Sequence, residues 1–194
     1  MINKLPGMQE RKCEMAAAVV LGGTLYGAEV DAPTVQQIST IRRIVAGSIW
    51  GSGTNRNHAA ALMLFRSSVD PHVAVVNNIV KHWAKMIRHE VLDEDTRLEL
   101  WTYGREDNGT VKGPVHQVAR IFKQLGVTSE DGRHWTIGTQ TYDGAYDACA
   151  LNEVVKLAET QVWKTLAKHR HHFNGLQKRT GRRTHKEFLE KPQA

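Results

Sequence analysis

DPHVAVVNNIVKHWAKMIRHE, residues 70–90, carries the clearest pattern in the chain. An aspartate directly before a proline reads as an N-cap followed by the residue best suited to the first helical position. Beyond it Val73, Val76, Val80, Trp83 and Ile87 recur at three- and four-residue spacing, which predicts a helix with one buried stripe.

Working outward, the upstream segments read as helices too. Asn57 begins a short apolar helix through Phe65. Before it, VQQISTIRRIVAGSIW, opened by Asp31 and Pro33, sets Val35, Ile38, Ile41, Val45 and Ile49 on one face and Gln36, Arg42 and Arg43 elsewhere; Gly51, Ser52 and Gly53 end it. A first helix is expected over 10–26, its last turn weakened by Gly22 and Gly23.

Downstream, DEDTRLELW predicts a short helix capped by Asp93 or the residue before it and ended at Gly104, with REDNGTVKG a loop. Gly113 and Pro114 introduce a helix carrying Val118, Ile121, Phe122 and Leu125, stopped by Gly126. After the turn-like Glu130, Asp131 and Gly132, RHWTIGTQTY alternates as a hairpin would and supplies the only expected sheet. A last long helix is expected over 146–173, with Leu151, Val154, Val155, Ala158, Val162 and Leu166 on one face, and THKEFLEK near the end reads as one more short helix. The expected fold class is therefore mainly α, a helical bundle with one small β-hairpin. Three regions follow: 1–104, a set of helices; 105–175, a helix, the hairpin and the long helix; and 176–194, a basic tail.

Composition bounds what such a bundle can do. With 194 residues, 41% of them hydrophobic and five tryptophans, the chain can bury a core. Cys13 and Cys149 stand far apart, in no zinc-like spacing, which fits a reduced compartment. No signal peptide is read at the start, because Arg11, Lys12 and Glu14 crowd the apolar run and no clean cleavage site follows. No run of about 18 apolar residues occurs, so no membrane partner is expected and the location is read as intracellular, nuclear or cytoplasmic.

The net charge of +6 is unevenly placed. Lys164, Lys168, Arg170, Lys178, Arg179, Arg182, Arg183 and Lys186 fall in one stretch without an Asp or Glu. Outside it 18 of the 26 Lys and Arg remain against 20 Asp and Glu, so the body is nearly neutral and the basicity belongs to the C-terminal stretch. A tract of that kind is the footprint of a polyanion partner.

Catalytic motifs are wanting. Asp93, Glu94 and Asp95 suit the start of a helix better than a metal site. Asp143, in TYDGAYD, has the look of the first aspartate of an RNase H strand, but the later strands and carboxylates of that site are missing. His169, His171 and His172 lie within the basic tract, where a solvated or phosphate-facing run competes with metal chelation. No Walker A, GxGxxG or serine elbow is present. Trp50, Trp83 and Trp163 fall near apolar helix faces and read as core rather than as base-stacking platforms; Trp135 in the hairpin is open to either use. No catalytic residue, metal site or cofactor is assigned.

One segment has a familiar form. An alanine-rich helix from Cys13 ends in Leu25, Tyr26, Gly27, Ala28 and Glu29; a turn and an amphipathic helix follow, with Arg42 and Arg43 within it and Ile49, Trp50 and Gly51 closing it. This resembles the thumb of non-LTR (LINE-type) retrotransposon reverse transcriptases. VDPHV at 69–73, GPV at 113–115 before a helix ending in LGV, and AKHRHHFNGLQ at 167–177 look like the region downstream of that thumb. The palm's paired aspartates, after an aromatic residue and alanine, occur nowhere in the sequence, and no zinc knuckle or endonuclease motif follows.

The resemblance implies a nucleic-acid-binding thumb and downstream segment of an RNA-directed DNA polymerase, not an enzyme as an isolated chain. Its partners would be RNA or an RNA/DNA hybrid, held by the phosphate backbone, and the palm and fingers of a parent polymerase. The contacts would come from Arg42, Arg43 and the eight cations from Lys164 to Lys186, by counterion release without base specificity. For Arg42 and Arg43 an ordinary exposed helix face is the other reading. For the whole chain the other reading is a helical interaction or scaffold protein with a basic docking tail.

Overall fold

The computed structural model describes residues 2–4, 8–51, 57–106 and 113–168. Helix α1 (Gln9–Met15) widens into a π-helical stretch, Ala16–Leu21, and ends in a single turn, α2 (Gly22–Thr24). Helix α3 (Val35–Trp50), α4 (His58–Arg66), α5 (Pro71–Arg88), α6 (Glu94–Glu106) and α7 (Pro114–Leu125) follow. The strands β1 (His134–Ile137) and β2 (Gln140–Asp143) precede the long helix α8 (Ala148–Lys168). The chain is mainly α with one small antiparallel hairpin, as its patterning requires.

The helix starts are chemically explicit. Asp70 accepts the His72 amide at 2.9 Å, with Pro71 at the first position, and Asn57 accepts the Ala60 amide at 3.1 Å. The start of α3 differs from the expected one. Thr34, not Asp31 with Pro33, caps it, through a reciprocal pair in which the Gln37 amide reaches Thr34 Oγ1 at 3.3 Å and Gln37 Oε1 accepts the Thr34 amide at 2.7 Å. Two orphan donors are satisfied at once, which an aspartate three residues earlier could not do.

Two further boundaries are corrected. Helix α6 does not stop at Gly104 but runs through it, because this glycine is a packing device: a Cβ there would stand 3.1 Å from Val115 Cγ1 of α7. The long helix begins at Ala148 rather than near Tyr146, after a turn in which Asp147 accepts the Cys149 amide at 2.8 Å.

Helix α5 lies at the centre, packed against α3, α7 and α8. All five residues of its expected stripe are buried, and so are Val75, Ile79 and Ala84, since neighbours enclose it on more than one side. The run His58–Arg88 is apolar enough by composition to cross a membrane, yet it is interrupted at Asp70 and supplies the core. One cluster of buried side chains extends from Cys13 to Ala158, across the division expected at residue 104, and a smaller one joins Ala60, Met63 and Val73 to Val162 and Leu166 of α8.

The hairpin is held by an aromatic chain. Trp83 and Trp101 stack at 5.8 Å, Trp101 meets Phe122 edge-on at 5.9 Å, and Phe122 meets Trp135 edge-on at 5.2 Å. Trp83 and Trp135 donate their indole N–H groups to the same Gly132 carbonyl at 2.8 and 2.9 Å, and Trp101 donates to that of Ser129 at 3.1 Å. Each buried ring thus keeps its polar handle satisfied. Trp135, which the sequence left open, is wholly buried core.

Candidate nucleic-acid interface

The two arginines of α3 part company in the structure. Arg43 is exposed. Arg42 turns toward the start of α5, where its Nε donates to Asp70 Oδ2 at 2.7 Å and its Nη2 to Oδ1 at 2.9 Å. The Asp70 side chain is 0% exposed and that of Arg42 21%. A carboxylate so buried must be paired, and a two-pronged arginine is the strongest partner available. Arg42 is therefore not on an ordinary exposed helix face. Two of its five donors belong to Asp70, and its charge is largely offset there.

Around this pair lies a cleft of about 540 Å³ between α3, α5, α7 and α8. Its polar lining includes Arg42, His72, Arg120, Gln124, Gln161 and Thr165, and no Asp or Glu lines it. Burial pushes the pKa of His72 down; Asp70 pulls it back up, Arg42 adds to the depression, and the Gln161 amide beside it partly opposes. Its Nε2 and the Gln161 Oε1 are both shielded without completing a hydrogen bond. The imidazole is thus held neutral, and the cations of the cleft are Arg120 and what Asp70 leaves of Arg42.

The α8 wall runs into the basic tract. Val162 and Leu166 face inward, while Lys164 and Lys168, one turn apart, are exposed. Arg170, Lys178, Arg179, Arg182, Arg183 and Lys186, the histidines at 169, 171 and 172, and the expected THKEFLEK helix lie outside the described residues. The structure thus brings Arg42 beside the last turns of α8, which sequence alone could not do. It also adds Arg120, missed because one arginine on the polar side of an amphipathic helix carries no signal until its neighbours are known.

Asp93 and Asp143, two of the carboxylates singled out in the sequence, are engaged. Asp93 caps α6, accepting the Thr96 amide at 2.9 Å and its hydroxyl at 2.7 Å, and those bonds lower its pKa. Asp143, at the end of β2, accepts both Nε and Nη2 of Arg133 at 3.0 and 2.8 Å and the Ala145 amide at 2.9 Å. Burial raises its pKa, but the Arg133 and Ala145 hydrogen bonds outweigh that and leave it lowered. Among the described residues no three His, Cys, Asp or Glu side chains converge to hold a metal ion. Compared with protein-family models, curated proteins and solved structures, the chain matches none.

Proposed function

We propose that this chain is the nucleic-acid-binding thumb and downstream segment of a retroelement-type RNA-directed DNA polymerase, lacking the catalytic palm. The observation that supports the reading is a cleft lined without Asp or Glu beside the helix on which the basic tract begins. An acid-free cleft lined by Arg42 and Arg120 has as one wall the helix on which Lys164 and Lys168 begin an acid-free tract of eight cations. With Arg42 offset by Asp70, the charges left for a polyanion to neutralise are those of Arg120 and of the tract. RNA or an RNA/DNA hybrid would lie along Arg43, Arg120 and the tract, its phosphates exchanging condensed counterions for Lys and Arg. Arg42 contributes mainly by holding Asp70, and so the rim of the cleft, in place.

Fluorescence anisotropy with a labelled RNA/DNA hybrid tests this. Binding without sequence preference is expected, weakening steeply between about 50 and 200 mM salt. Changing Lys178, Arg179, Arg182 and Arg183 to Gln should weaken all sequences alike and make the slope of log affinity against log salt shallower by up to about 0.9 per lost duplex contact. Binding that ignores salt, or a folded quadruple variant with wild-type affinity and slope, overturns the assignment. One observation favours the scaffold reading instead: Leu64 and Phe65 of α4 and Ile44 of α3 leave apolar surface exposed. That reading expects the quadruple variant to keep its nucleic-acid binding and lose a protein partner.

A further inference from the structure

On the α5 surface away from the cleft, a second group of side chains has the composition of a nucleic-acid contact of another kind. Tyr26 is 93% exposed, although its neighbours Leu25 and Ala28 are both 3% exposed. The ring is out because the turn holds it there: the Leu25 amide bonds to the Leu21 carbonyl at 2.9 Å, that of Ala28 to Leu25 at 3.1 Å, and that of Val30 to Gly27 at 3.0 Å. Gly27 takes a φ of 77°, which favours glycine over any residue with a side chain. An aromatic ring fixed outward from a pinned turn gives up hydrophobic burial and loses little entropy when something stacks on it.

The turn sits beside the polar face of α5. Asn78, Lys81, His82 and Lys85 follow one another at helical spacing, are all exposed, and share with Tyr26, Gly27 and Glu29 a cleft of about 330 Å³. Neither Lys81 nor Lys85 is ion-paired among the described residues. An exposed ring next to two unpaired ammonium groups one turn apart matches a base and its flanking phosphates. A duplex offers this ring nothing, because its bases are already stacked; an unpaired strand offers both parts.

We propose that Tyr26, Lys81 and Lys85 form a single-stranded nucleic-acid subsite, the ring stacking on one unpaired base and the two lysines holding neighbouring phosphates. It extends the nucleic-acid reading to a different ligand form and a different face. The probes are a short labelled oligo(dT) and a blunt RNA/DNA hybrid, titrated into the full chain. Tyr26→Ala should weaken oligo(dT) binding by about 5- to 150-fold, the value of stacking one base, while Tyr26→Phe, which keeps the ring, stays near wild type. Lys81→Gln with Lys85→Gln should reduce the salt slope for oligo(dT) by about 1.4, at roughly 0.7 per single-strand contact. Affinity for the blunt hybrid should not change with Tyr26→Ala. A folded Tyr26→Ala protein that binds oligo(dT) as the wild type does, or a wild type that binds hybrid but no oligo(dT) at low salt, overturns the subsite and leaves the proposed function standing. Loss of the tail's effect on hybrid binding, with the Tyr26 effect retained, has the opposite meaning.

Discussion

Gly144 follows β2 directly beneath the ring of Trp135, and replacing it with alanine probes the whole aromatic chain through one methyl group. A Cβ at that position would stand 2.0 Å from Trp135 Cε2, 2.3 Å from Cζ2 and 2.5 Å from Nε1. No side chain yields that much room in place. The Trp135 ring must shift, and in shifting it gives up its bond to the Gly132 carbonyl at 2.9 Å and its edge contact with Phe122 at 5.2 Å. Overpacking of this kind costs roughly 1–3 kcal/mol, and stranding a buried N–H adds about 1–3 kcal/mol. Gly144 has no positive φ, so alanine strains no backbone and recovers about 0.4–1 kcal/mol through the unfolded chain. The net expectation is a loss of about 2–5 kcal/mol by those figures. Urea unfolding followed by tryptophan fluorescence measures it. The helical control is Gly22→Ala, where a Cβ meets nothing within 4 Å and stability should hold or rise by up to about 1 kcal/mol. A Gly144→Ala protein within about 0.5 kcal/mol of wild type, the usual range for an uninvolved surface site, would refute the account of the hairpin as locked onto the helices by Trp135.

Asp70→Ala should lower stability by about 2–4 kcal/mol in thermal unfolding, since it strands a largely enclosed Arg42 and removes the cap of α5; adding Arg42→Met should restore part of that loss, and strictly additive effects would refute the pairing. His72 is held neutral by burial, so the folded state binds its proton less readily than the unfolded one; its contribution is fully present above the unfolded value near 6.5 and is lost as pH falls from there toward the lowered folded pKa. His72→Gln should flatten that acid-side decline relative to wild type in unfolding measured between about pH 7 and pH 5, and an unchanged decline would count against it. The purified chain should incorporate no nucleotide on a primed template with magnesium or manganese, because the sequence holds no paired palm aspartates to bind two ions; incorporation that survives stringent purification would overturn the reading of a missing palm.

What could be read from the sequence was what local chemistry decides. The Asp70–Pro71 start, the Asn57 cap, the Gly126 stop with its φ of 74° and the hairpin itself all follow from neighbours in the chain. The starts of α3 and α8 differ from the expected ones although their caps are local; elsewhere the deciding factor is a residue whose role is set by a partner on another element. Gly104 looks like a helix stop until α7 lies against it, and Trp135 is open to either use until Phe122 and the Gly132 carbonyl enclose it. Arg42 and Arg43 are adjacent and alike in sequence; only the approach of Asp70, 28 residues on, separates them. The Asn78, Lys81, His82 and Lys85 row was legible as spacing, being the polar side of the stripe already read on α5. What it lacked was the Tyr26 turn beside it.

The pairing of Arg42 with Asp70 changes where an electrostatic function must lie. An arginine tied to a buried carboxylate adds little net field, whereas cations without partners add their full charge, and those of the described body include Arg43, Arg120, Lys81 and Lys85 and, along α8, Lys164 and Lys168. They fall into two sets that differ in their company. Around Arg120 and the end of α8 the neighbours are amides, hydroxyls and aliphatic walls, suited to phosphates and blind to bases. Around Lys81 and Lys85 the neighbour is an exposed ring, which a stacked duplex cannot use and an unpaired base can. Under the proposed function, a duplex would lie on one face and the strand emerging from it on the other. The two sets of substitutions, in the tail and at Tyr26, should therefore act independently on hybrid and single-strand affinity and combine additively on a hybrid with a single-stranded overhang.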